Sequence, residues 1–225
     1  MTGITEAMTR AANNADVDLN AAPPRETKMQ DHLSGRATMR KTGNFLAVAM
    51  FVVASTFPLL AGTLAGVTLP DTVQVGTRTL LLNGLGLRKK FVVKVYVAGL
   101  YLERKSSDPG AILNADVPKR IVMHFVRSVS KSQIADAFDE SFENNSPDAK
   151  KTLKTEIDQF LGALEPVNDG DQMVLTYLPG TGTTLAINDK EKLTIAAPAF
   201  APALFSVWLG PKPPNADLKN GLLGQ

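Results

Sequence analysis

The sequence predicts an α+β fold, an antiparallel sheet with helices on one face, and three observations carry that expectation. Between Thr72 and Arg127 three runs rich in Val, Leu and Ile follow one another with little between them. From Ser130 the apolar spacing changes to four residues. After Gln172 short strand-like runs return, separated by turn residues. Strands, helices, strands and a last helix give segregated rather than alternating elements.

Each element has a local reason. Thr72 to Leu82 is suited to a strand, which the glycines of Asn83-Gly84-Leu85-Gly86-Leu87 are expected to break. A second strand runs from Phe91 to Glu103. Its alternation puts Phe91, Val93, Val95, Val97, Gly99 and Tyr101 on one side and Val92, Lys94, Tyr96, Ala98, Leu100 and Leu102 on the other. A third run, Arg120 to Arg127, aligns Ile121, Met123, Phe125 and Arg127.

Ser130 followed three residues later by Gln133 fits a capping box, and Ile134, Phe138 and Phe142 form one helical stripe behind it. Asn144-Asn145 ends that helix. Ser146-Pro147 opens another, with Leu153, Ile157, Phe160, Leu161 and Leu164 as its buried face. Strands are expected at Gln172 to Leu178, Thr183 to Ile187 and Lys192 to Ala196, and helical turns at Ala201 to Leu209 and Ala216 to Leu223.

The chain before this domain differs in composition. Residues 1–38 lack the large apolar residues and the periodicity needed for a core, so they are expected to be disordered or to precede the natural start at Met39 or Met29. Residues 39–65 begin with Met39-Arg40-Lys41, continue through the apolar run from Phe45 to Ala54 and end in small residues. That layout predicts a secretory signal peptide cut after Ala65, in competition with a retained membrane span. The domain then covers residues 66–225, long enough for one core.

Charge and composition exclude several chemistries. Residues 66–225 hold 18 Lys and Arg against 17 Asp and Glu, which gives no basic footprint for nucleic acid. With no cysteine and two histidines, His32 and His124, there is little for a metal centre or a Ser-His-Asp triad, and no cofactor is expected. Gly84-Leu85-Gly86 and Gly180-Thr181-Gly182 complete neither a dinucleotide nor a P-loop pattern and read as turns. Asp136, Asp139, Glu140 and Glu143 read as a solvated helix face. Lys94 and Tyr96 share an otherwise apolar strand face. They either mark the polar end of a cavity or belong to a face where Lys94 reaches the edge and Tyr96 bonds locally.

The motifs G-x-G-x-R at Gly84 to Arg88 and K-V-Y-x-A-G-L-Y-L-E at Lys94 to Glu103 resemble the chalcone isomerase-like family. So do Phe125 to Ser130, Phe142 to Asn145, Ala203 to Gly210 and Leu218 to Gly224, which resemble its secreted bacterial branch. The resemblance implies an open-faced β-sandwich, its large antiparallel sheet covered by helices, with a ligand cleft between them. In the plant enzymes that cleft cyclises a chalcone, an arginine stabilising the enolate. In the fatty-acid-binding branch it holds an acyl chain.

Position by position, the resemblance assigns Arg88 to the cleft arginine of both branches. Tyr96 falls where the enzymes have threonine and the fatty-acid binders tyrosine, and Asn144 matches an asparagine of the enzyme pocket. The enzymes' catalytic tyrosine falls at Ala137 and their pocket lysine at Ser128, and no tyrosine lies between Tyr101 and Tyr177. These departures favour a periplasmic, non-catalytic protein that binds a fatty acid or similar apolar anion through Arg88 and Tyr96, with Arg127 as a second anion anchor. An isomerase of chalcone-like enones and an envelope interaction protein without a ligand are the alternatives. Oligomeric state is not read from the sequence. One geometric demand follows: Arg88 and Tyr96 would lie about 26 Å apart on one straight strand, so the chain must turn sharply between them, at Lys89-Lys90.

Overall fold

The structure, a computed structural model, describes residues 61–225. Residues 1–38 and most of the expected leader, residues 39–60, lie outside the described residues. Seven strands form one antiparallel sheet in chain order: β3 (Thr72–Val75), β4 (Arg78–Lys90), β5 (Val93–Leu102), β6 (Lys119–Phe125), β7 (Gln172–Leu178), β8 (Gly182–Ile187) and β9 (Lys190–Ile195). The α+β, open-faced sandwich expected from the sequence is the architecture found. A separate hairpin, β1 (Ala61–Leu64) and β2 (Val67–Pro70), turns through Ala65-Gly66, so the expected cut after Ala65 falls at its tip.

Helices are α1 (Pro109–Asn114), α2 (Lys131–Asn145), α3 (Pro147–Thr152), α4 (Lys154–Ala163), α5 (Phe200–Leu209) and α6 (Ala216–Leu222). The capping box at Ser130 and Gln133 is formed in full, and Ile134, Phe138 and Phe142 are the buried residues of α2. The helix expected from Ser146 is two helices interrupted at Leu153. Ser146 does not cap it through its side chain; its hydroxyl bonds the Ser206 hydroxyl at 2.8 Å.

The two faces of the sheet bury different partners. Alternate residues of β5 and β6, among them Leu100, Leu102, Ile121 and Met123, pack under the helices. The other face, with Leu80, Leu82, Val97, Tyr101 and Val122, packs on Val67 and Leu69 of the β2 strand. The predicted alternation of β5 is therefore the observed one from Tyr96 onward.

The glycines of Asn83 to Leu87 do not break the strand, contrary to expectation. β4 runs through them, because what they supply is the absence of a side chain. A Cβ on Gly84 would lie 2.1 Å from the Gly221 carbonyl oxygen, and one on Gly86 2.3 Å from that of Leu218. Helix α6 thus rests backbone on backbone against β4, and its own Gly221 is equally constrained, with the Leu85 oxygen 2.2 Å from where a Cβ would stand.

Asn83 is the extra residue of a β-bulge: Leu82 pairs with Tyr101 and Gly84 with Leu100, leaving Asn83 without a partner in β5. Its buried amide is held instead by Ser106, through both N–H and carbonyl, and by the Leu222 carbonyl at 2.7 Å. A one-residue insertion reverses the alternation beyond it. Leu80 and Leu82 face the β2 side, and after the bulge so do Leu85 and Leu87. Arg88 is thereby turned to the helix side.

Candidate functional site

At one end of the helix-covered face the packing gives way to a cavity of about 610 Å3. Its walls come from the end of the β4–β5 hairpin, the segment after β6, one side of α2 from Gln133 to Asn144, the end of α5 and the loop at 212–214. Met123, Phe125, Ile134, Phe138, Val207 and Trp208 make the apolar part. The volume is in the range of small-molecule pockets.

All four residues singled out in the sequence, Arg88, Tyr96, Arg127 and Asn144, line this one cavity. Arg88 and Tyr96 are direct cross-strand partners, which removes the expected 26 Å separation. The chain reverses not at Lys89-Lys90, which are still paired in β4, but at Phe91-Val92, and β5 accordingly begins at Val93. Lys94 is exposed near this turn and does not line the cavity.

Tyr96 has its phenol oxygen 3.1 Å from the indole nitrogen of Trp208, which donates to it. Burial pushes the Tyr96 hydroxyl above the ordinary tyrosine range, opposed by the Trp208 hydrogen bond and the Arg88 charge. The phenol is therefore protonated at neutral pH and keeps its own hydrogen for a further acceptor. Phe125 meets the Tyr96 ring edge-on at 5.5 Å and Phe138 meets Trp208 at 5.7 Å, fixing both rings.

Arg88 is anchored by one nitrogen. Its Nη1 donates to the Asn215 side chain at 2.8 Å, to the Pro214 carbonyl at 3.2 Å and to the Lys89 carbonyl. Among the described residues no partner is found for Nε or Nη2, which leaves a fixed guanidinium with two free donor nitrogens. Arg127 stands in the bend after β6, exposed, and joins none of the ion pairs found among the described residues.

Asn144 lines the cavity as an exposed residue of α2, while its neighbour Asn145 is structural. The Asn145 side chain receives the Lys212 N–H at 2.8 Å and donates to the Lys212 carbonyl at 2.9 Å, clamping the 212–214 wall to α2. Ala137 and Ser128 also line the cavity, so a methyl and a hydroxyl stand at these two positions. Of the chain's three tyrosines only Tyr96 is there. Tyr101 bonds the Pro70 carbonyl and Tyr177 bonds Asp116, both away from the cavity.

The acidic face of α2 is divided. Asp139 and Glu143 pair with Lys150 at 2.9 and 3.3 Å, whereas Asp136 and Glu140 line the cavity together with Arg88, Lys90, Arg127 and Lys212. Among the described residues no group of His, Asp or Glu is arranged to hold a metal ion. Trp208 was missed in the sequence reading. It is the chain's one tryptophan and sits in a motif already quoted, but its partner is 112 residues away.

The arrangement is a cavity with an apolar wall and a charged border, holding a half-buried tyrosine, an indole and an oriented guanidinium at one side. Comparison with known proteins places the fold. The solved structure of a fatty-acid-binding protein from Arabidopsis thaliana is similar, with a TM-score of 0.58 at 14% identity, over 73% of this chain and 96% of that one. At that identity the likeness is one of fold. No curated protein gives a significant match. Residues 61–224, which hold β1 through α6 and every cavity-lining side chain, match the model of the chalcone isomerase-like family. On that match the chain belongs to the chalcone isomerase-like family.

Proposed function

We propose that this is a non-catalytic binding protein that holds a fatty acid or a similar apolar anion in the cavity between sheet and helices. The observation that carries the reading is the cross-strand pair of Arg88 and Tyr96 at the border of an apolar pocket. A carboxylate there would accept from the free guanidinium donors and from the Tyr96 hydroxyl, while the chain lay against Met123, Ile134, Phe138 and Val207. The fatty-acid-binding protein of similar fold supports the same ligand class. The apolar run after Met39 supports export to the periplasm.

Cyclisation of an enone would use the same arginine, but the resemblance places the enzymes' phenol donor at Ala137, a residue with no proton to give. Native mass spectrometry of protein isolated from its own compartment tests the proposal. A bound acyl species of one-to-one stoichiometry, lost in Arg88→Ala, is expected. An empty protein in every preparation, or turnover of a chalcone above the solution rate, contradicts it.

A further inference from the structure

The turn between β4 and β5 projects two apolar side chains into solvent. Phe91 is 91% and Val92 92% exposed, whereas Leu81 and Val117, exposed large apolar residues away from this tip, stand at 38% and 37%. Among the described residues nothing packs on the tip to hold it. Phe91 also has a φ of 57°, at the first central position of a two-residue hairpin turn, where glycine is the usual occupant. A bulky aromatic residue is thus kept in a strained backbone conformation with no packing among the described residues to compensate.

The hairpin's own charges have one sign. Lys89, Lys90 and Lys94 are exposed beside it, and residues 72–102 contain no Asp or Glu. The facing carboxylates come from other elements: Asp217 shares a shallow hollow with Lys89, and Asp136 and Glu140 of α2 share the cavity lining with Lys90. The tip is also continuous with the cavity, since Arg88, Lys90 and Val95 of the same hairpin line it.

We infer that this hairpin tip docks the protein onto a bilayer containing anionic phospholipid, Phe91 and Val92 entering the headgroup boundary and Lys89, Lys90 and Lys94 meeting the phosphates. Two protruding side chains with a cationic collar suit a fluid surface that needs no matching shape. A specific protein partner would require roughly 800 Å2 of complementary surface, which two residues do not supply. Docking stands apart from the identity of the cavity's occupant. It would set the cavity mouth against the lipid.

Because the chain has no cysteine, a single label can be placed at will. The full-length Val92→Cys protein, carrying a polarity-sensitive fluorophore, is mixed with vesicles of phosphatidylglycerol and phosphatidylcholine or of phosphatidylcholine alone. A blue-shifted, several-fold brighter emission on the anionic vesicles, quenched by acyl-chain nitroxides, is expected. The same label at Thr181→Cys, on a turn at the opposite end of the sheet, should not respond. Replacing Lys89, Lys90 or Lys94 by Ser should weaken the response about fivefold per lysine. Phe91→Gly, which suits the turn backbone and so preserves the fold, should weaken it on the order of tenfold. No response at position 92, an equal response on neutral vesicles, or quenching only by an acidic protein would overturn the inference.

Discussion

The helix-covered face of the sheet has two ends that share one helix, α2, yet are filled differently. At one end Phe142, Phe160 and Phe200 meet ring to ring at 5.7 to 6.2 Å, and all three are fully buried. At the other, α2 presents Ala137 and Ser141 to the cavity, with Ile134 and Phe138 behind them. Phe138 is the boundary, touching Phe160 on one side and Trp208 on the other. Helix α2 is continuous across both, contributing Phe142 to the packed rings and smaller side chains to the cavity, so one element serves the core and the site together.

The comparison breaks most sharply at the packed end. Phe142→Ala should destabilise the domain by about 3–5 kcal/mol, measured by denaturant unfolding, since it leaves a void among buried rings. A loss below about 1 kcal/mol would mean that this end is as loosely filled as the other.

Second is the bulge. Asn83→Ala removes the amide that holds Ser106 and Leu222 and should cost about 2–3 kcal/mol. Deleting Asn83 should cost the sheet more than the site. The extra residue goes while Leu82 and Gly84 keep Tyr101 and Leu100 as partners, so Arg88 stays on the helix side and ligand binding should persist wherever the variant folds.

At the hollow end the effect on stability should be small and the effect on binding large. Ala137→Phe should change unfolding free energy by less than about 1 kcal/mol, because the site is open, while filling space an acyl chain would need. Unchanged ligand affinity in that variant would place the ligand elsewhere.

The helix stripes and the capping box at Ser130 were legible in the sequence because they depend on residues three or four apart. Strand alternation exposed Tyr96 as a polar residue on a buried face for the same local reason. The glycines at 84 and 86 were misread as a break, because a glycine signals either backbone freedom or room for a neighbour. Only the approach of α6, more than 130 residues later, decides which. The β1 strand was hidden within the small residues read as the end of a leader, and Asn145 behind the cavity residue Asn144. Arg88 and Tyr96 could be named from the resemblance, but a hairpin turn carrying Phe91 at positive φ was needed to see that they are neighbours.

The smallest effect contrasts the two ends electrostatically. Lys119 is buried near the packed end, its amine capping the Ile112 and Ala115 carbonyls, and burial pushes it down to about 8 from 10.5. Between those values the unfolded chain holds the proton that the folded chain has released, so this group makes stability rise with pH across the window. Tyr101 and Tyr177, pushed up to about 12, act in the opposite sense only above their ordinary value of 10. Unfolding of Lys119→Met followed from pH 8 to 10 should show a flatter profile than wild type. An identical slope would assign it to other groups.

The central claim, that the cavity holds an apolar anion through Arg88 and Tyr96, has a built-in reporter in Trp208, the chain's single tryptophan, which donates to the Tyr96 hydroxyl. Titration with palmitate, followed by tryptophan emission, should give a saturable change at one-to-one stoichiometry. Affinity should fall about tenfold in Tyr96→Phe, which loses a hydrogen bond to a charged group, and further in Arg88→Ala. No change in Trp208 emission at saturating palmitate, or equal affinity in wild type and Tyr96→Phe, would contradict it.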